Sequence, residues 1–449
     1  MSQPQARDVI RIFYVLTGTY TLAIALVWGV SVLFFLAAGL EVFEVFVVTA
    51  VFTASTVLFE IPTGVFADRL GRRRSILVGL ALMAVAAGGY VLVEQSGGGV
   101  MAFAAVALLM GLGFSFYSGA AEAWLVDALG EIGWEGELDR VFTGSQLISG
   151  GAMLLGTLGG GLLGQVDLAI PYLAQGVLLV VGFVVTGRWI HDIGFAAARV
   201  EWAALPREMA VFARGGIGFV WRERALRLVT AASFLQTAFV AWGLYAWQPY
   251  FLDLLNSDAV WIAGVVSALI SAATMAGNGV VEWFTRICRR RTTLLLWAGA
   301  VQAVAGIGVG IATSFPAALA CLLVVAAAMG ASAPVRQAFL HELIPGRQRT
   351  TVVSLDSMVC CVGASGGQVG LGAVADSQSF TAGYVLGGLI ALPAVPILFA
   401  ARRLGDAADF VKGVGKAGRR GSCAARGLPV VSQIDPARSR SIGGADTNA

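Results

Sequence analysis

The sequence predicts an all-α integral membrane protein with twelve transmembrane helices. Of its 449 residues, 57% are hydrophobic and only 13% are charged, whereas a soluble protein is usually about one quarter charged. Twelve apolar runs reach the roughly 20 residues that a helix needs to cross the hydrocarbon layer. The arginines between these runs fall in alternate connections. A chain with this pattern has too few charges to cover a soluble globule.

Each apolar run becomes one predicted span. The first is too long for the core of a signal peptide and lacks a convincing cleavage site, so it counts as a span. The runs cover residues 10–38, 44–67, 76–95, 100–127, 142–164, 168–190, 227–252, 259–284, 292–313, 316–340, 351–374 and 380–400.

The basic residues give the orientation. The positive-inside rule places arginine-bearing connections in the cytoplasm, which predicts a multi-pass protein of the cell (inner or plasma) membrane with both termini cytoplasmic. The inner connections carry Arg69, Arg72–Arg74, Arg140, the group from Arg188 to Arg227, Arg286, Arg289–Arg291, Arg347 and Arg349. The outer ones carry acidic residues and no Lys or Arg: Glu41, Glu44, Glu94, Asp167, Asp253, Asp258 and Asp376.

Repeats divide the chain into two halves, predicted as residues 1–191 and 227–403 with six helices each. Arg72–Ser75 aligns with Arg289–Thr292, and Glu122–Leu129 (EAWLVDAL) aligns with Gln337–Ile344 (QAFLHELI). Ordered matches in corresponding spans indicate a duplication in the same orientation, as in transporters whose halves rock about a central site.

Two further segments complete the predicted organisation. The connection 192–226 carries Leu205, Met209 and Phe212 at helical spacing, which favours an amphipathic segment at the inner membrane surface over a solvated linker. Residues 404–449 are rich in Gly, Ala, Ser and Arg with few large apolar side chains, and we predict a disordered cytoplasmic tail.

The loop after the second span has a distinctive pattern. Gly64 allows another helix to approach its backbone, and Asp68 ends the span with a negative charge that can face a helix N-terminus. Gly71 permits a tight turn, and Arg72–Arg74 hold the loop at the anionic inner surface. The stretch GVFADRLGRRR, which includes Arg69 and Arg73, resembles the signature loop between helices two and three of the major facilitator superfamily.

This resemblance implies the major facilitator fold, with twelve helices in two six-helix halves. It also implies that the residue matching Asp68 holds an inner gate shut by engaging the start of helix eleven, the region Arg349–Ser354, and the carboxylate Asp127. The simpler interpretation is that these arginines only fix topology. In the second half Thr285 and Cys288 replace Asp68 and Gly71, which predicts a degenerate copy of the gate.

The fifth span contains a glycine cluster. Gly156, Gly160 and Gly161 are similar to the glycine-rich motif of twelve-helix, proton-coupled bacterial drug exporters, with Thr157 in place of its proline. The resemblance implies a close helix–helix contact that biases the carrier toward export, although glycine-rich spans are common in membranes.

Charged and polar residues at membrane depth are the candidates for proton and substrate binding, because ionisable groups are costly there. Pro62 predicts a kink beside the first of them. The charged candidates are Glu60, Glu122, Asp356 and Arg336, and the polar and aromatic ones in the seventh span are Gln236, Trp242 and Tyr245. The alternative is structural: Glu60 and Glu122 would pair with Arg336 or with inner arginines.

The leading interpretation is a secondary transporter that exports small amphipathic, drug-like molecules in exchange for protons by alternating access. A nutrient or metabolite importer or facilitator on the same fold is the alternative, and a non-transporting membrane sensor is the third. The sequence shows no nucleophile–base pair, metal cluster or cofactor loop, so we expect neither an enzyme nor a resident cofactor or metal. The expected partners are the small-molecule substrate, protons and the lipid bilayer, with no nucleic acid, and the protein is expected to be a monomer.

Overall fold

The computed structural model describes residues 6–193, 222–257, 259–288, 290–344 and 349–410. This part of the chain is helical almost throughout. The α-helices are α1 (Ala6–Trp28), α2 (Ser31–Ala37), α3 (Val42–Leu58), α4 (Glu60–Leu70), α5 (Arg72–Gln95), α6 (Val100–Glu131), α7 (Leu138–Val166), α8 (Ile170–Trp189), α9 (Arg224–Leu255), α10 (Val260–Cys288), α11 (Arg291–Ile311), α12 (Phe315–Leu343), α13 (Arg349–Ser377), α14 (Phe380–Ala391) and α15 (Ala394–Arg403).

The helices confirm the predicted fold class. Eleven helical stretches of the described residues are long and apolar enough to cross a membrane, and the bent pair α3–α4 supplies the twelfth span. The bend of 44° between α3 and α4 lies where the sequence predicted a kink. Pro62 has no N–H to donate to the carbonyl of Leu58, so the α-helical hydrogen bonding is interrupted there.

Two faces of the bundle are distinguished by where helices end. We call the basic face the side on which α4, α6, α8, α10, α12 and α15 end. The acidic face is the opposite side, on which α2, α5, α7, α9, α11 and α13 end. Each half has its own buried core, around Leu16, Leu80 and Phe103 in the first and around Phe239 and Tyr384 in the second.

The two halves meet along α3 with α13 and along α7 with α10. Near the acidic face, the Phe43 N–H donates a hydrogen bond to the Asp376 carboxylate at 3.4 Å. Towards the middle of the bundle, the Cys361 thiol donates to the Thr53 carbonyl at 3.4 Å. Beyond that point α4 bends away, and its main contacts are with α3, α5 and α6 of its own half. The contact between α3 and α13 thus runs from the acidic face to mid-depth.

A third contact between the halves bridges a break in the first span. The amide of Gln248, on α9, accepts a hydrogen bond from the Val32 N–H at 2.9 Å and donates one to the Trp28 carbonyl at 3.0 Å. These groups lie at the end of α1 and the start of α2, where helical hydrogen bonding is incomplete. Gln248 is fully buried, and it satisfies both groups from the opposite half.

The end of each half returns to the start of that half's third span. The Asp192 carboxylate accepts a hydrogen bond from the Arg73 N–H at 2.8 Å, at the second residue of α5. The Asp409 carboxylate accepts from the Thr292 N–H at 2.7 Å, at the second residue of α11. A carboxylate satisfies the free N–H groups there and complements the positive end of the helix dipole. Asp192 and Asp409 have the same separation as the aligned arginine runs, and each caps the second residue of its helix.

The second cap lies inside the segment that composition assigned to a disordered tail. Residues Ala407–Asp409 form a turn of 3₁₀ helix, and Asp409 is 1% exposed. The prediction of disorder is therefore wrong for residues up to Phe410, because one well-placed carboxylate docks a segment that has few large apolar side chains. Residues 411–449, and the predicted amphipathic segment within 194–221, lie outside the described residues.

Candidate functional site

An exposed stripe of α4 lies beyond the part of α3 that contacts α13. Glu60, Gly64 and Asp68 are four residues apart and so share one helix face. They continue, beyond Thr53, the line of α3 that contacts α13. All three are exposed, and a Cβ atom built on Gly64 has no atom within 4 Å. The second span therefore presents an uncovered face towards the basic side in this conformation.

The signature loop beside this stripe forms a chain of ionic contacts. An Arg72 guanidinium nitrogen lies 2.7 Å from the Asp68 carboxylate, and another lies 3.5 Å from the Asp127 carboxylate. The loop thus brings Asp68 and Asp127 together through Arg72. Arg69 lies in the last turn of α4.

Gly71 is required by geometry at the turn. Its φ of 104° is a conformation that favours glycine, and a Cβ atom there would collide with the Asp192 carboxylate. Arg73 supplies its N–H to Asp192 and its guanidinium to the Gly187 carbonyl at 2.7 Å. The loop is therefore anchored to the end of α8.

The predicted gate between Asp68 and the start of helix eleven remains a prediction. In this conformation the contacts of Asp68 within the described residues are with its own loop, through Arg72. The side chains at 349–351 lie outside what is described, so their relation to Asp68 is not defined.

The glycine cluster of α7 makes contacts in two directions. Cβ atoms added at Gly156 and Gly160 would meet α1, at Ala25 and Leu26 respectively. A Cβ added at Gly161 would lie 2.6 Å from the Cα of Gly264 on α10. The first two glycines therefore pack the first half internally, whereas Gly161 closes the interface between the halves.

A buried ion pair lies in the second half, about two turns in from the basic face. The Arg336 guanidinium binds the Asp356 carboxylate and the Ser233 hydroxyl. The second Asp356 oxygen accepts a hydrogen bond from the Thr230 hydroxyl at 2.7 Å, and Arg336 also donates to the Cys360 sulfur at 3.2 Å. Asp356 is 3% exposed, so its charge is compensated almost entirely by Arg336.

This pairing bears on the two glutamates. The structural alternative paired Glu60 or Glu122 with Arg336, but the ion pair that Arg336 makes is with Asp356. Glu60 and Glu122 are both exposed, and among the described residues neither forms an ion pair. Glu122 lies close enough to Tyr117 to interact with it electrostatically, and Tyr117 stacks on Tyr20 of α1 at 3.9 Å between ring centroids.

The three candidates on the seventh span occupy different surroundings. Gln236 lies against Gly299 of α11, inside the second half. Trp242 is fully buried, 4.9 Å from the Tyr384 ring and 5.8 Å from the Phe46 ring. Tyr245 lines a cavity.

That cavity has a volume of about 220 Å³ and lies inside the first half. Its walls come from α1, α2, α3, α5, α6 and α8, and Tyr245 closes it from the second half. Trp28, at the end of α1, lines the cavity together with Tyr245. Most of the wall is aromatic or aliphatic, and its polar groups include Ser31 and Gln175. Within the described residues, no group of three or more His, Cys, Asp or Glu side chains is arranged to hold a metal ion.

Comparison with known proteins decides the family. The family model of the Major Facilitator Superfamily matches residues 13–367. The chain belongs to this superfamily. It is 21% identical to the "Uncharacterized MFS-type transporter YxaM" of Bacillus subtilis (strain 168) over 358 residues, which is 78% of this chain and 86% of that protein.

Solved structures of the superfamily share the fold. A point mutant of the nucleoside transporter NupG superposes with a TM-score of 0.73 and 12% identity, covering 89% of this chain and all of that one. A point mutant of the peptide transporter POT, in complex with sulfate, gives a TM-score of 0.71 and 15% identity over 88% of this chain and 94% of that one. The human organic anion transporter MFSD10 gives 0.58 and 16%, over 88% of this chain and all of that one.

Several residues of this superfamily member were not predicted from the sequence. Gln175 is a single polar residue in an apolar run, and that isolation was the available signal. Asp192 and Asp409 follow the last span of each half, where a carboxylate among basic residues gave no sign of a cap. Gly264 is one glycine in an apolar span, and its contact with Gly161 depends on how two distant helices meet.

Proposed function

We propose that this superfamily member is a proton-coupled exporter of small amphipathic molecules that works by alternating access. The observation that carries the proposal is the asymmetric contact between the halves. They are joined near the acidic face by Gly161–Gly264 and Gln248, whereas the α4 stripe is exposed at the basic face. Two bodies that are joined near one face can rock about a central site.

The orientation follows from the arginines. Because the basic face carries the arginine-rich connections, it is the cytoplasmic side under the positive-inside rule. We propose that the described conformation is the inward-facing one, the state from which an exporter collects its substrate. The glycine contact at Gly161 supports export, because it stabilises closure on the outer side.

Proton coupling is assigned to Glu60 and Glu122. Both lie within spans and are exposed, and neither forms an ion pair with an arginine within the described residues, so protonation of either would break no ion pair. Asp356 is the next candidate, since protonation would release Arg336 from its ion pair. The protein is proposed to act as a monomer, since each chain contains both halves.

Transport by reconstituted protein tests the proposal. Proteoliposomes are loaded with chloramphenicol or uridine, and substrate flux and proton movement are measured together. We expect chloramphenicol, an uncharged amphipathic molecule, to move against its gradient in exchange for protons. Glu60→Gln and Glu122→Gln should reduce uphill export at least tenfold while downhill counterflow continues, because Gln keeps the size but cannot ionise. Glu131→Gln, at the exposed end of the helix that bears Glu122, is the matched control.

The outcomes separate the alternatives. Proton-independent or inward-coupled movement of uridine alone would replace the exporter with a nutrient facilitator or importer. If both Gln variants pump at the wild-type rate, the proton site lies elsewhere, and Asp356→Asn is measured next. If no probe moves and no proton flux accompanies any of them, the amphipathic-exporter proposal is withdrawn.

A further inference from the structure

The cavity inside the first half contains buried polar atoms without partners. Gln175 is 1% exposed, and its side-chain oxygen has no hydrogen-bond partner among the described residues. The Ser31 hydroxyl, on the same cavity wall, also lacks one. Leaving a buried acceptor unsatisfied is costly, and such an atom on a cavity wall is suited to a ligand that donates to it.

The size of the cavity limits the ligand. An apolar cavity of about 150 Å³ holds a benzene molecule, and sites for drug-sized ligands have roughly 300–1,000 Å³. The volume of about 220 Å³ therefore fits a one-ring or two-ring aromatic group. The lining includes the rings of Phe35, Phe52, Phe114, Tyr90 and Tyr172, which can stack on such a group.

The charge of the cavity limits the ligand further. None of its lining residues is Asp, Glu, Lys, Arg or His. A charged ligand would lose its hydration without gaining an opposite charge, and that penalty is large in an apolar site. The carboxylates and guanidinium of the proposed proton site lie outside the lining.

We propose that this cavity is a binding site for uncharged one-ring or two-ring aromatic molecules, whose N–H or O–H group donates a hydrogen bond to the Gln175 side-chain oxygen. The proposal gives a substrate class for the proposed transport function. It rests on that function only where it takes the bound molecule to be the transported substrate. The site lies within one half instead of at the central interface. Its link to transport is Tyr245, because rocking of the halves moves this wall relative to Trp28 on α1.

A groove on the outer surface of the same half lies beside the cavity. It has a volume of about 370 Å³ and runs between α5 and α8 along Gly88, Gly176 and exposed valines of α8. Tyr172 lines both the groove and the cavity. Uncharged aromatic molecules partition into bilayers. Molecules dissolved in the membrane can therefore reach the groove, which is separated from the cavity by Tyr172.

Binding of a matched pair of probes tests the proposal. Indole and indene have the same shape, but only indole has an N–H group. Binding to the purified full chain in detergent is measured by isothermal titration calorimetry without any gradient. Partitioning of each probe into micelles is measured by titrating it into detergent alone, and the free probe concentrations are corrected for it. The wild type is expected to bind indole at least tenfold more tightly than indene. Gln175→Leu should remove that preference by weakening indole alone, and Val27→Phe, which fills the cavity, should weaken both.

The chain offers a matched control in Gln368. It is also 1% exposed with an unpartnered side-chain oxygen, but it lies in α13, away from the cavity. Gln368→Leu should bind both probes like the wild type. Equal binding of indole and indene by the wild type, or unchanged indole preference in Gln175→Leu, overturns the proposal. Because no gradient is used, a protein that binds indole but fails to pump contradicts only the transport function.

Discussion

Replacing Gly161 by alanine should open the contact between the halves at the acidic face. The added Cβ would lie 2.6 Å from the Cα and 2.7 Å from the backbone nitrogen of Gly264. Ordinary carbon contacts are about 3.5–4.0 Å. The obstructing atoms are backbone, so no side-chain rotation relieves the overlap, and α7 and α10 must separate by roughly 1 Å.

The size of the effect follows from the cost of overpacking. Forcing an extra methyl group into a packed contact costs about 1–3 kcal/mol. The strain is confined to the conformation in which the acidic face is closed, and it disappears when the helices separate. The equilibrium between closed and open acidic faces should therefore shift towards open by about 5-fold to 150-fold.

The assay measures the distance between the halves directly. Spin labels are placed at Gln95 and Gln378, exposed residues at the acidic-face ends of α5 and α13, in a background without native cysteines. Double electron–electron resonance should show that a longer distance between the two labels is populated in Gly161→Ala. Gly159→Ala is the control, because its Cβ would meet the Leu26 side chain at an ordinary 3.5 Å. Identical distance distributions in the two variants would refute the role of Gly161 in closure.

Three further predictions concern the basic face. Gly64→Val should fold normally, because its Cβ position is empty in this conformation, yet abolish turnover if another helix must approach there. Gly99→Val, also in open space and just before α6, should transport normally. Normal turnover by Gly64→Val would rule out a close approach at this position. Asp68→Asn should insert and fold normally, since its half-exposed i,i+4 ion pair with Arg72 contributes under about 1 kcal/mol. It should reduce transport and increase the labelling, from the cytoplasmic side, of cysteines introduced along α7 and α13. Unchanged transport would exclude the gate. Asp409→Ala should lower the free energy of unfolding by about 1–2 kcal/mol, because a helix cap is lost, and should expose the segment before Phe410 to protease. An unchanged melting temperature would show that the cap contributes little.

The features predicted correctly from sequence are those encoded locally. Twelve spans follow from the length of each apolar run, and the kink in the second span follows from Pro62. The contacts of Arg72 with Asp68 and Asp127 lie within one loop and its neighbouring helix end, whereas the gate that the resemblance implies stays a prediction.

The features that were missed depend on how distant segments pack. In the sequence, Glu60, Glu122 and Asp356 are equivalent, since all three are acidic residues within spans. Arg336 pairs with Asp356 because of the relative rotation of α12 and α13, which the sequence does not reveal. Trp242 precedes Tyr245 by less than one helical turn, yet one is packed in a core and the other closes a cavity. No periodicity within a single span distinguishes these environments.

The paired caps at Asp192 and Asp409 have a mechanical consequence. Each ties the end of a half's last span to the beginning of its third span, so the helices of that half form a closed loop of contacts. Helices connected in this way resist sliding past one another. A force on one helix is therefore passed to the whole half and does not deform it locally. When a ligand displaces one end of a half, the whole half should therefore rotate as a rigid body. The opposite end of that half, on the other side of the membrane, should then move as well.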